Sequence, residues 1–218
     1  MTSRALTART GSTASIALAF ALGFLAPAAA LAQDFSFRPF AMFSEQKFAA
    51  DKTFTAAFGS SSGSFWGGGL NVTQEDRFYL ELSASRFKKT GQLAFVNNGQ
   101  AFPLGIPQTV TVTPFEITGG YRFSTGSPVR PYVGGGAGIY GYQQVSSFST
   151  DAENVDTHHV GGIVEGGAEV RLHQWFGVAA DVHYTYVPGI LGDAGISKDL
   201  NESNLGGFSF RVKAIVGK

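Results

Sequence analysis

The side chains able to carry charge or move a proton recur at alternate positions along the chain. Glu81, Glu116, Glu165, Glu169 and Asp181 offer carboxylates, Arg38, Arg122, Arg171, Arg211 and Lys213 offer cations, and His183 adds an imidazole. Brought together, five acids and five bases either neutralise one another or line a path for an ion or a solute. A second group lies close in sequence: His158 and His159 with Ser146, Ser147, Asp151 and Asp156. These are the residue types of a nucleophile and base, a pairing recognised by geometry rather than by proximity in sequence. Adjacent residues on a strand point to opposite faces and no third ligand is evident, so His158-His159 is not read as a metal site. The absence of cysteine excludes disulfides, a thiolate metal site and a catalytic thiol. The glycine-rich stretches lack the Gly-x-x-x-x-Gly-Lys pattern of a phosphate loop. The sequence therefore assigns no catalytic, cofactor-binding or metal-binding residue.

The elements that hold these side chains are strands. Between Phe176 and Tyr186 the even positions are Phe176, Val178, Ala180, Val182, Tyr184 and Tyr186, and the odd ones are Gly177, Ala179, Asp181, His183 and Thr185. A period of two gives one greasy face and one small or polar face. The greasy face carries rings at both ends and small aliphatics between, as a strand does when its outside touches lipid. The same alternation predicts strands at about 35–44, 65–73, 78–88, 113–123, 131–143, 161–172 and 207–216, eight in all with 176–186.

The start of the chain agrees with a membrane destination. Arg4 and Arg9 precede an apolar run from Ser15 to Leu25, Pro27 breaks it, and Ala30-Leu31-Ala32 offers a cleavage site, so residues 1–32 read as a signal peptide. Without them, Gln33–Lys218 carries two net negative charges, which argues against nucleic acid as a partner. No later apolar run is long enough for a spanning helix. Strands can cross a bilayer only as a closed barrel, because an open edge would leave backbone groups unpaired in hydrocarbon.

Connection lengths give the topology. Gln74-Glu75-Asp76, Ser124–Arg130 and His173-Gln174-Trp175 are short links, and Glu45–Ser64, Lys89–Val112, Gln144–Val160 and Val187–Gly206 are long. Short periplasmic turns alternating with long outer loops predict an all-β, eight-stranded antiparallel up-and-down transmembrane β-barrel over residues 33–218. In the second long link, Asn97-Asn98-Gly99 predicts a small hairpin. In the first, Phe48, Phe54 and Phe58 are expected to pack among the loops, with dipping into the outer leaflet or capping the mouth as alternatives.

Lipid contact sorts the faces. A cation near the midplane of the lipid face costs up to about 2–4 kcal/mol, so the eleven chemically active side chains of the first group are expected inside. Eight strands enclose a bore just wide enough for side chains to fill, which favours a structural ion-pair network there over an ion path. Rings fall into two belts. One holds Phe35, Phe78, Phe123, Tyr132, Trp175 and Phe176; the other holds Phe43, Trp66, Phe87, Tyr140, Tyr142, Tyr184, Tyr186 and Phe208, with Tyr132 and Tyr140 facing the lumen by parity.

Gly120-Tyr121-Arg122-Phe123, Pro131-Tyr132-Val133-Gly134-Gly135-Gly136-Ala137-Gly138 and Glu169-Val170-Arg171-Leu172 resemble the bacterial outer-membrane beta-barrel domain family, the small eight-stranded group that includes outer-membrane protein A type barrels. The resemblance implies a non-enzymatic, monomeric protein of the outer membrane with a structural or surface-interaction role. Its partners would be outer-membrane lipid, lipopolysaccharide and, during insertion, the barrel-assembly machinery. The chain ends Ala214-Ile215-Val216-Gly217-Lys218 where members of that family often present a terminal aromatic. Two alternatives remain open: a narrow-bore carrier of small hydrophobic molecules, and a lipid A-modifying barrel enzyme using the His158-His159 loop.

Overall fold

The computed structural model describes residues 35–217 except 98–99, 124–126, 147–154 and 193–194; the expected signal peptide lies outside them. The backbone runs through β1 (Phe35–Phe48), α1 (Asp51–Phe58), β2 (Ser62–Gln74), β3 (Phe78–Asn97), β4 (Gln100–Arg122), β5 (Val129–Ser146), β6 (Val155–His173), β7 (Phe176–Tyr186), α2 (Gly195–Asp199) and β8 (Gly207–Val216). Each strand pairs antiparallel with the next, and β1 pairs with β8, from Phe40 opposite Ile215 to Phe48 opposite Gly207. The ring is therefore closed and has no free edge.

β7 and β8 occupy the spans expected from alternation, whereas β3, β4, β5 and β6 run further into the long links. Beyond Lys88 the alternation of apolar and polar side chains fades, but the ladder persists, from Phe87 opposite Val112 to Asn97 opposite Gln100. Backbone hydrogen bonds carry the arm there with a few cross-strand contacts, Thr90 to Thr109 and Phe95 to Phe102, so side-chain periodicity does not reveal it. The strands of the hairpin expected near Asn97 pair at the outer end of this arm, while its turn residues 98–99 lie outside the described residues. The first long link holds a helix, α1, where a loop was expected.

The short-link end is sharply made. Glu75 and Asp76 have φ of 50° and 56°, and Arg77 donates its N–H to the Gln74 carbonyl at 3.0 Å. Two consecutive left-handed residues form the two-residue turn whose twist matches a hairpin. Inside the wall, Gly134 leaves room for a ring: a Cβ there would lie 2.1 Å from the Tyr79 hydroxyl.

The outside of the ring is an apolar band. Phe37, Leu80, Leu82, Phe115, Ile117, Val133, Ile139, Val164, Val182 and Phe210 all face outward and are exposed, Phe115 by 66 %. A continuous exposed apolar surface of this kind is not compatible with water and marks a lipid contact.

Candidate functional site

The lumen holds the charged residues in two tiers. Near the short-link end, Glu169 on β6 accepts from Arg38 on β1 at 2.6 and 3.2 Å and from Arg122 on β4. Asn71 joins this tier to the next, accepting from Arg38 at 2.9 Å and donating to Glu81 at 3.1 Å. In the second tier Lys213 Nζ lies 2.6 Å from Glu81 and 3.3 Å from Asp181. Arg211 bonds Asp181 at 2.6 Å through Nε and also reaches Glu165. Strand register makes these meetings possible, since Asp181 stands opposite Arg211 across β7 and β8.

Hydroxyls complete the network. Tyr79 donates to Glu165 at 2.7 Å, Tyr132 to Asp181 at 2.6 Å and Tyr140 to Glu116 at 2.7 Å. Thr118 adds a bond to Glu165 at 3.1 Å. Glu116 is served chiefly by such donors, for Arg211 Nη1 and His183 Nε2 stand 3.7 and 3.8 Å from it. His183 is buried, with Nδ1 3.3 Å from the Ser209 hydroxyl. Buried carboxylates with this many donors are satisfied without a mobile counter-ion.

Ten of the eleven residues expected inside are buried there: Arg38, Glu81, Glu116, Arg122, Glu165, Glu169, Asp181, His183, Arg211 and Lys213. Arg171 is different. It keeps the inward parity of β6 but lies at the short-link rim, half-buried, with Nη2 4.0 Å from Asp76. Arg130 approaches the same carboxylate at 2.6 Å. Partial burial pushes the Asp76 carboxyl up, but its bond to Arg130 and the charges of Arg130, Arg171 and Arg122 outweigh that and hold it below the ordinary aspartate value. Removing Arg171 leaves five acids and four permanent bases in the deep network, which explains why Glu116 relies on hydroxyls.

The sequence does not single out Asn71, Tyr79 and Thr118 as network members; Tyr132 and Tyr140, counted with the belts but facing the lumen by parity, lie there. The signal was present in parity: each occupies an inward position beside small wall residues, and Gly134 makes the space for Tyr79. The belt residues Phe78, Phe123, Trp175 and Phe176 at one rim, and Trp66 and Tyr186 at the other, are exposed on the outer face. Tyr184 is half-exposed and packs its ring 4.7 Å from Phe208. Phe87, Tyr140 and Tyr142 leave the second belt, being buried on the inner face.

Toward the long-link end the lumen changes character. Phe48, Phe65, Phe87, Val110, Val112, Tyr140, Tyr142, Val187 and Leu205 form one buried apolar cluster with Phe54 of α1. The rings of Phe48 and Phe54 stack at 3.9 Å, so the first link caps the mouth by packing into it. Phe58 stays partly buried at its edge. Glu202, from the link after β7, holds the helix by accepting from the N–H groups of Lys52 at 3.1 Å and Thr53 at 2.8 Å.

The histidine loop does not assemble a relay among the described residues. His158 and His159 point to opposite faces of β6, and Asp156 accepts from Gln143 at 3.0 Å. Ser146 donates to the Pro107 carbonyl at 3.3 Å, while Ser147 and Asp151 lie outside the described residues.

The outer membrane protein beta-barrel domain family matches residues 16–212. The chain belongs to this family. It is a protein of the bacterial outer membrane, with short turns on the periplasmic side and long links outside. No curated protein matches the sequence. Among solved structures, the N-terminal β-barrel domain of Pseudomonas aeruginosa OprF is similar with a TM-score of 0.51 and 14 % identity, over 85 % of this chain and 99 % of that one. Ail of Yersinia pestis, in complex with the heparin analogue sucrose octasulfate, is similar with a TM-score of 0.50 and 13 % identity, over 86 % and 100 %. OprG of P. aeruginosa gives a TM-score of 0.50 and 14 % identity, over 85 % and 96 %. Identities this low speak for the fold alone.

Proposed function

We propose that this protein is a non-enzymatic, non-conducting barrel that contributes structure or surface interactions to the outer membrane. One observation carries the reading. The gap in the charged network, between Asn71, Tyr79, Glu81, Glu169 and Lys213, has a volume of about 10 Å³. That is room for about one water molecule, not for a hydrated ion. The apolar cluster above it adds a second seal. In this reading the paired lumen charges brace the wall, and the outer links, including the β3–β4 arm, meet whatever the protein contacts at the cell surface. Outer-membrane lipid and lipopolysaccharide surround the band, the barrel-assembly machinery inserts the chain, and the barrel works as a monomer. Purified protein in a planar bilayer is expected to give no stable channels. Large, reproducible conductance steps at neutral pH would overturn the proposal.

A further inference from the structure

The mouth of the barrel is not fully filled. Between α1, the β3–β4 arm, the outer ends of β5 and β6 and the link carrying α2 lies a cavity of about 370 Å³. That volume falls within the range of small-molecule sites, about 300–1,000 Å³. Phe54, Val110, Ile190 and Leu191 supply apolar wall, Gln108, Gln144 and His159 supply polar groups, and no lysine, arginine, aspartate or glutamate lines it. The absence of these permanently charged side chains is notable because the long links around it carry Lys47, Lys52, Lys89, Asp156, Lys198 and Glu202. Thr53 also lines the cavity, and its buried hydroxyl has no hydrogen-bond partner among the described residues. An unpaired buried hydroxyl costs free energy that a ligand donor or acceptor removes.

We propose that this cavity binds a small, uncharged, mainly apolar molecule carrying one hydrogen-bonding group, such as an aromatic alcohol. A charged molecule would lose its hydration with no lysine, arginine, aspartate or glutamate in the wall to replace it, His159 being the one basic side chain there among the described residues. The site is a dead end rather than a passage. Val110 and Tyr142 in its wall belong to the same buried cluster as Val112 and Tyr140, and Tyr140 is bonded to Glu116 of the charged network. The molecule is held at the mouth, and the proposal is independent of whether the lumen conducts.

The test uses full-length mature protein in lipid nanodiscs, with 1-naphthol as the probe and 1-naphthalenesulfonate as its anionic counterpart. Titration calorimetry against empty nanodiscs should show one saturable site for 1-naphthol and binding at least about tenfold weaker for the sulfonate. Ile196→Trp and Ala57→Trp, at two wall positions on different links, should each weaken 1-naphthol at least about tenfold while heat-modifiable gel mobility shows an intact barrel. If either variant fails to fold, the comparison of the two probes on the unaltered protein still decides. Uptake no greater than that of empty nanodiscs, equal binding of the sulfonate, or unchanged binding in both folded variants would each overturn the proposal.

Discussion

Glu169 holds two arginines at once, from strands on opposite sides of the sequence, and is almost wholly buried. Its removal would leave Arg38 and Arg122 facing each other without a counter-charge, a loss of about 3–5 kcal/mol for breaking a buried pair. Glu169→Ala is expected to lower the unfolding free energy by that order, read as a lower urea midpoint, and Glu169→Gln, which keeps an acceptor and the volume, by less. A Glu169→Ala midpoint equal to that of the unaltered protein would show that the pairing is incidental. At this scale parity made the charges legible, because a period of two says which face a residue takes. Parity does not say how far along the bore it sits. Arg171 therefore has the predicted face and the wrong neighbourhood: one residue from the end of the expected strand, it meets Asp76 at the rim rather than the deep charges. Parity puts Tyr132 and Tyr140 in the lumen but does not name the carboxylates they bond, and Tyr79 is marked only by the space that Gly134 leaves across the wall.

α1 is held by side chains that no periodicity links. Its first turn leaves N–H groups unsatisfied, and Glu202, about 150 residues later, takes two of them. At its other end the helix lies against β3 so closely that a Cβ on Gly91 would be 2.1 Å from the Ala57 carbonyl. A helix of eight residues is not stable by itself, so these contacts and the burial of Phe54 determine it. That is why the first link read as a loop: the helix exists through tertiary contacts to residues distant in sequence. The cap contributes about 0.5–2 kcal/mol. Glu202→Ala should therefore speed tryptic cleavage at Lys52 by about twofold to thirtyfold while the barrel's unfolding midpoint stays put. An unchanged cleavage rate would show that packing alone holds the helix. The strands divide in the same way. β7 and β8 carry alternation along their whole length and were bounded correctly, whereas the outer halves of β3 and β4 carry little and were not.

The whole molecule is organised by height above the periplasm. The eleven residues of β7 rise about 34 Å along the strand, or about 26 Å after a tilt of about 40°, which matches an apolar band about 25 Å tall. Phe176 then sits at one interface and Tyr186 at the other, with Val182 near the middle. The same axis orders the interior: paired charges from the periplasmic rim to the middle, an apolar cluster above them, and the cavity at the mouth. Closure of β1 on β8 was legible from the need to satisfy every backbone group in lipid, but the apolar upper lumen was not, because its residues are shared among five strands and two links. The height argument makes a quantitative demand. An arginine on the lipid face costs about 2–4 kcal/mol at the midplane and about 0–1 kcal/mol near an interface. Val182→Arg and Tyr186→Arg, both outward-facing on the same strand, should therefore destabilise the barrel in lipid vesicles by amounts differing by about 2–3 kcal/mol. Equal costs at the two positions would mean that β7 does not cross the bilayer at this height, and the assignment of the two aromatic belts would fall with it.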